Sequence, residues 1–233
     1  MSNLKVFENN GGKFLISESL LTSKLSRIKA FVFDWDGVFT NGEKDQDLQS
    51  HFNEVDSMGA NLLRFSFFLQ QKHLPITAII SGENNKAAFT FTNRECFHAN
   101  YFKVANKTDA TKHLCETNGI LPSEIAYVFD DVLDLSIAKE CGLRIFISRK
   151  ANPMLYDYVV KNKLADYITG AESGNFAVRE SCEMLMCSYG LFDEAVNQRV
   201  AYSDNYSNYI SQRRTIKTKY FTVTEGKISE TQI

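Results

Sequence analysis

Apolar residues fall along this chain in two periods, and the alternation between them predicts its architecture. Ala30-Phe31-Val32-Phe33, Pro75-Ile76-Thr77-Ala78-Ile79-Ile80, Ile125-Ala126-Tyr127-Val128-Phe129 and Leu143 to Ile147 are short, nearly continuous apolar runs. Such runs suit central strands of a parallel sheet that is covered on both faces. Between and after them, Met58 to Gln71, Asn84 to Asn93, Lys107 to Asn118 and Leu133 to Cys141 read as helices, with Gly142 as a stop before the strand at Leu143. Asn152-Pro153 starts another helix toward Lys163, Tyr167-Ile168-Thr169 reads as a short edge strand, and Phe176 to Cys187 as a closing helix. An apparent hairpin spans Val38 to Asn53. With right-handed crossovers, this alternation gives an α/β fold, a parallel sheet with helices on both faces. No internal repeat is visible.

Polar chemistry sits where these runs end. The first is followed by Asp34-Trp35-Asp36-Gly37, two carboxylates one residue apart and then a turn glycine. Open α/β sheets bind ligands at the carboxyl ends of their strands. At this spacing the two acids need not share an environment, so one can stay ionised as a nucleophile while the other moves a proton. A calcium loop is the competing reading, but it needs further oxygen ligands at close spacing, and Val38, Phe39 and Thr40 follow instead. The second run ends in Ser81-Gly82, where a hydroxyl and free backbone N–H groups could hold a phosphate; the same dipeptide is also an ordinary turn signal. Lys107 opens a helix, a position where lysines are usually solvated. The third run ends in Asp130-Asp131-Val132-Leu133-Asp134. Capping and helix-dipole preferences account for one or two of these acids. Three acids at one strand end repel one another unless a cation or a lysine compensates, and hard oxygen ligands suit Mg²⁺.

In order and spacing these residues resemble the haloacid dehalogenase-like phosphatases, and within them the 3-deoxy-manno-octulosonate 8-phosphate phosphatase branch. That pattern is Asp-x-Asp-Gly-Val at the first strand, Ser or Thr at the second, Lys before a later helix, and Gly-Asp-Asp-x-x-Asp at the fourth. Here it falls on Asp34 to Val38, Ser81, Lys107 and Asp130 to Asp134. Thr40-Asn41-Gly42, Phe52 to Asp56 with Gly59, Asn106-Lys107 and Ala177-Val178-Arg179-Glu180 match the branch as well. The resemblance covers roughly 28–186. It implies a three-layer Rossmann-like fold, with residues 1–27 as an N-terminal extension, 28–188 as the phosphatase domain with a small hairpin flap, and 189–233 as a C-terminal extension.

The resemblance also implies a mechanism. Asp34 would attack phosphorus to form an aspartyl-phosphate, and Asp36 would protonate the departing sugar oxygen and then activate water. Asp34, Asp130 and the backbone carbonyl of Asp36 would hold Mg²⁺, with Asp131 and Asp134 behind them. The side chain of Asp36 should therefore lie off the metal. Ser81, Gly82 and Lys107 would stabilise the phosphoryl oxygens. Thr40 belongs with the substrate-binding residues. Arg179 could contact an anionic substrate from a neighbouring subunit, or could pair on its own helix with Glu180 or Glu183. The expected substrate is an eight- or nine-carbon keto-deoxy sugar acid phosphate of lipopolysaccharide or nonulosonate synthesis. The stretch from Asp34 to Ser81 leaves no room for a separate cap domain, and capless relatives close their sites with a neighbouring subunit, so a homotetramer is expected.

Three departures stand out. Glu83 replaces the branch's usual Arg after the Ser-Gly pair, Phe129 replaces the usual Gly before the aspartates, and Glu172 to Ala177 replaces a glycine-rich run. They prompt an alternative, a catalytically weak relative with a regulatory or assembly role, or a phosphatase for another small phosphometabolite. A receiver-like signalling domain uses similar residues but places its acidic pair early in the chain.

Composition narrows the field little further. The chain has 233 residues, 44% of them hydrophobic, and a net charge of −2, so a full core is possible and neither nucleic acid nor a membrane is indicated as partner. Five cysteines form no CxxC pair and four histidines no metal spacing. The start of the chain lacks a signal-peptide progression, so a cytoplasmic location is expected. Leu191 to Tyr209 suggests one more helix; the basic, aromatic stretch from Gln212 to Phe221 could contact a partner or neighbouring subunit, although a solvated helix with a frayed terminus is the commoner meaning of such a tail.

Overall fold

Each of the four apolar runs forms a strand, and the two that carry the acidic clusters lie side by side. In the computed structural model, which describes residues 4–46 and 50–233, the strands are β1 (Lys13–Phe14), β2 (Ala30–Phe33), β3 (Ile76–Ile80), β4 (Ala99–Tyr101), β5 (Ile125–Phe129), β6 (Leu143–Ser148), β7 (Tyr167–Glu172), β8 (Lys219–Thr224) and β9 (Lys227–Thr231). They form one sheet in the order β1-β7-β6-β5-β2-β3-β4-β8-β9. All pairings are parallel except those of the outermost strands, β1 on β7 and β9 on β8. β2 pairs with β5 so that Phe33 faces Val128, which brings Asp34 and Asp130 to the same edge of the sheet.

Successive side chains of a strand point to opposite faces, and here both faces are covered. Phe31, Phe33, Ile79, Val128 and Ile145 pack on one side and Ala30, Val32, Ile80, Tyr127 and Phe146 on the other. The first layer is closed by α2 (Glu18–Leu25), α3 (Glu54–Gln71) and α8 (Ala177–Ser188), the second by α5 (Lys107–Asn118), α6 (Leu135–Ala138) and α7 (Pro153–Lys161). The remaining helices are α1 (Lys5–Asn9), α4 (Lys86–Arg94), α9 (Phe192–Val200) and α10 (Asp204–Arg213). Among the described residues no helix is long and apolar enough to cross a membrane.

Several expectations need amendment. The region expected to be a hairpin, Val38 to Asn53, contains no strand among its described residues; 47–49 lie outside them. Gly37 and Gly42 both adopt positive φ. Thr40 Oγ1 accepts the N–H groups of both, and Asn41 Oδ1 accepts that of Glu43. Side chains thus take the backbone donors that a ladder would use. Tyr167 to Thr169 is not an edge, because β1 covers it. The expected helix over Leu191 to Tyr209 is broken at Tyr202, which has φ +49, and restarts behind Ser203, whose hydroxyl accepts the Tyr206 N–H. The basic stretch after it is not frayed, since β8 runs parallel to β4 and adds the Phe221 ring to the core, stacked on Tyr101 at 4.9 Å.

α3 is buried nearly all round because α9 and α10 cover the face that α8 leaves free. Phe65 meets the rings of Tyr206 and Tyr209 at 5.0 and 5.3 Å, and the Tyr209 hydroxyl donates to the Asn61 carbonyl. Phe65→Ala is expected to cost about 3–5 kcal/mol, read as a lowered denaturant midpoint; a change under about 1 kcal/mol would show that α10 does not seal this face in solution.

Candidate active site

The carboxyl ends of β2 and β5 carry a buried cluster of charge. Asp34 follows β2, its N–H donating to the Val128 carbonyl. Asp130 follows β5, and Asp134 ends a single 3₁₀ turn, Val132–Asp134, that the Asp131 side chain caps. Oxygens of Asp34, Asp130 and Asp134 lie within 4.8 Å of one another, all three side chains buried. Lys107, the first residue of α5, reaches under them and is itself only 2% exposed. Its Nζ is 2.7 Å from Asp34 Oδ1 and 2.6 Å from Asp134 Oδ1. Asp134 Oδ1 also accepts the Tyr127 hydroxyl at 2.5 Å. On the far side Arg149, just beyond β6, donates to Asp130 Oδ2 at 2.6 Å and to Ser173 Oγ at 3.2 Å.

Fully ionised, three carboxylates against Lys107 and Arg149 leave one negative charge in excess. The consequence is visible in their proton affinities. Burial, with repulsion from Asp134, pushes Asp34 up to about 7 although Lys107 pulls it back. Burial, with repulsion from Asp34 and Asp134, pushes Asp130 up to about 8 against the pull of Arg149. Burial works against the charge of Lys107, but Asp34 and Asp134 outweigh it and its pKa is raised. Asp130 Oδ1 is buried and has no hydrogen-bond partner among the described residues. An oxygen-rich, over-negative cluster with an orphaned carboxylate oxygen fits a hard divalent cation.

Asp36 is one residue on and in different surroundings. It is half-buried, and its Oδ1 accepts from Lys44 Nζ and Ser50 Oγ, both at 2.5 Å. Trp35 between the acids is fully buried, stacked on Phe39 at 5.2 Å. Ser81 is buried at the end of β3, its hydroxyl accepting the Glu83 N–H at 3.2 Å, and Gly82 has open space where a Cβ would stand. Thr40 is a buried turn former whose carbonyl accepts from Ser173 Oγ. Arg179 bonds elsewhere: its Nε pairs with Glu183 at 2.5 Å and its N–H donates to Asp56. A cavity of about 420 Å³ is lined by Thr40, Asn41, Asn53, Phe176 and Lys44, the partner of Asp36, among others.

No protein-family model matches the chain. Over 183 residues it is 29% identical to the 3-deoxy-D-manno-octulosonate 8-phosphate phosphatase KdsC of Escherichia coli K12, an alignment that covers 76% of this chain and 89% of that protein. Among solved structures, a haloacid dehalogenase superfamily (subfamily III A) hydrolase from Legionella pneumophila superposes with a TM-score of 0.65 at 26% identity, covering 78% of this chain and 95% of that one. The chain has the haloacid dehalogenase-like phosphatase fold. It also superposes, with a TM-score of 0.63 at 26% identity, on the 3-deoxy-D-manno-octulosonate 8-phosphate phosphatase of Moraxella catarrhalis, whose structure holds magnesium, phosphate and KDO. That alignment covers 76% of this chain and 97% of the other.

Against this haloacid dehalogenase-like frame, the departures occupy quiet places. Phe129 is buried between Tyr127 and Phe146, at ring distances of 5.5 and 5.4 Å, as part of the second core layer. Glu83 is exposed. Phe176 takes φ +64 at the start of α8 and stays half-exposed at the cavity rim. Sequence reasoning missed Arg149, Lys44, Ser50 and Asn85. Arg149 alone carried a signal, a basic residue just past a central strand on the ligand-binding edge. The others depend on how an irregular loop folds back, which no period records.

Raised carboxylate pKa values mean that the folded chain holds protons which the unfolded chain, with values near 3.8, releases. Between those limits the folded state binds more protons, so stability falls as pH rises. Asp56, raised to about 6 by burial, acts in the same direction. In chelator the thermal midpoint is expected to decline from about pH 5 to about pH 8, and Asp130→Asn to make the decline shallower; an unchanged slope in that variant would refute the assignment.

Proposed function

We propose that the chain is a Mg²⁺-dependent phosphatase for a phosphorylated sugar acid, 3-deoxy-octulosonate 8-phosphate or a related nonulosonate 9-phosphate, acting through an aspartyl-phosphate. The observation that carries this reading is the convergence of Asp34, Asp130, Asp134 and Lys107 in one buried cluster with half-buried Asp36 beside it. The resemblance to phosphatases named for that substrate supports it.

Asp34 is the nucleophile. Lys107, held between Asp34 and Asp134, favours its ionised form and lies where transferring phosphoryl oxygens would gather. One carboxylate oxygen of Asp34 bonds to phosphorus as the bond from phosphorus to the sugar oxygen breaks, and Asp36 gives its proton to that oxygen. The Asp36 carboxylate then takes a proton from water, whose oxygen attacks phosphorus and frees phosphate and Asp34. Ser81 and the N–H groups after it orient the phosphoryl group. Asp34, Asp130 and the Asp36 carbonyl would hold Mg²⁺, with Asp134 keyed to Lys107 behind them; bound there, the ion neutralises charge on the phosphoryl oxygens and on the clustered acids. The cavity lined by Lys44 suits the sugar moiety. Its open rim at Phe176 supports closure by a second copy, as in a homotetramer.

Phosphate release is the direct test, with Mg²⁺ and with chelator, over 3-deoxy-octulosonate 8-phosphate, nonulosonate 9-phosphates and simple sugar phosphates. Metal-dependent turnover strongly favouring one keto-deoxy acid is expected, and no turnover of any ester would sink the reading. Asp34→Asn should abolish turnover and leave the circular dichroism spectrum intact. A fully active variant would exclude the aspartyl-phosphate.

A further inference from the structure

Among the described residues, Asp36 receives its hydrogen bonds on one oxygen only. Lys44 Nζ and Ser50 Oγ both address Oδ1, and among the described residues no donor reaches Oδ2. Ser50 is 2% exposed although it lies in an irregular loop, and Asn85 behind it is 1% exposed. Asn85 Nδ2 donates to Ser50 Oγ at 2.5 Å, and Lys44 Nζ lies 3.4 Å from the same oxygen. A serine hydroxyl has one proton and two lone pairs. With two N–H donors on its lone pairs, the Ser50 proton is directed at Asp36. The Asn85 amide is itself locked, because its Oδ1 accepts the Ala87 N–H at 3.1 Å as the cap of α4 and a flip would lose that bond. The polarity of the chain from Asn85 to Ser50 to Asp36 is therefore set by a helix terminus.

We propose that Ser50 and Asn85 are positioning residues that hold Asp36 by Oδ1, so that Oδ2 is the oxygen that gives the proton to the departing sugar oxygen. The inference rests on the phosphatase reading above. It assigns a catalytic consequence to two residues that could otherwise only pin the loop to α4. A structural pin would affect every ester alike, whereas positioning of the proton donor matters only where the leaving oxygen needs a proton. The phenolate of p-nitrophenyl phosphate departs without one, and the alkoxide of a sugar phosphate does not.

The experiment compares kcat/KM, which reports the step that breaks the ester, for 6-phosphogluconate and p-nitrophenyl phosphate. Ser50→Ala removes the donor to Asp36. Asn85→Asp keeps a capping oxygen for α4 but loses the N–H donor and turns the serine proton away from Asp36. In both variants the loss on 6-phosphogluconate is expected to exceed that on p-nitrophenyl phosphate by about tenfold or more, inside the usual reach of general acid catalysis. Ser50→Thr, which keeps the hydroxyl, should restore the wild-type ratio. Equal losses on both esters, or none, would overturn the proposal and leave the phosphatase reading standing. Failure of the wild-type protein to hydrolyse these esters and the keto-deoxy acid phosphates named above would overturn both.

Discussion

A lysine ammonium buried between two carboxylates holds the structure's functional edge together. Lys107 lies between Asp34 and Asp134, almost out of reach of water, and it belongs to the first turn of α5 while its partners follow β2 and β5. Three elements distant in sequence are thus tied at one point. Taking charge out of water is expensive, and removing one member of such a set typically costs about 3–5 kcal/mol because the others are left uncompensated. The sheet order, with β2 and β5 adjacent at its centre, delivers these groups to one edge. Tyr127 contributes from inside β5, its ring part of the core and its hydroxyl on Asp134.

Around that point the two aspartates of the first strand diverge. Asp34 turns inward to the lysine and Asp36 outward to the loop that carries Lys44 and Ser50. Gly37 makes the divergence possible. At φ +88, a Cβ there would collide with Asp130 Oδ2 and Arg149 Nη2. The turn therefore runs against the Asp130–Arg149 pair, and Ser173 ties it to the end of β7 by donating to the Thr40 carbonyl. Four neighbouring strand ends, those of β2, β5, β6 and β7, are laced across the ligand-binding edge.

The parts of this arrangement legible in the sequence are those carried by period and punctuation. Ala30–Phe33 and Ile125–Phe129 are apolar on both faces because both faces are covered, and the acids that end them stand out against that background. The helix over Lys107–Asn118 is bounded by an asparagine and a glycine. Other features leave no such trace. β4 is only Ala99–Tyr101, and its buried Asn100 is accommodated by a bond to Thr92, an arrangement that reads as loop in one dimension. β8 and β9 are polar, half-exposed strands whose place is decided by the edge of β4 that they cover. The loop after Gly37 has the outward pattern of a hairpin in sequence, but the side chains of Thr40 and Asn41 satisfy its backbone instead. Tertiary partners settle each of these cases.

The placement of β8 and α10 bears on the order in which a growing chain can complete its fold. β2, β3, β5 and β6, with every residue of the acidic cluster, precede residue 149, so the functional edge can assemble while synthesis is still under way. The aromatic face of α3 and the outer edge of β4 are not fully covered until residues 192–224 emerge. Throughout that interval a nascent chain presents an apolar helix face and an unpaired strand next to each other, a combination that invites pairing with another nascent copy. The late segment ends this exposure by occupying the edge itself.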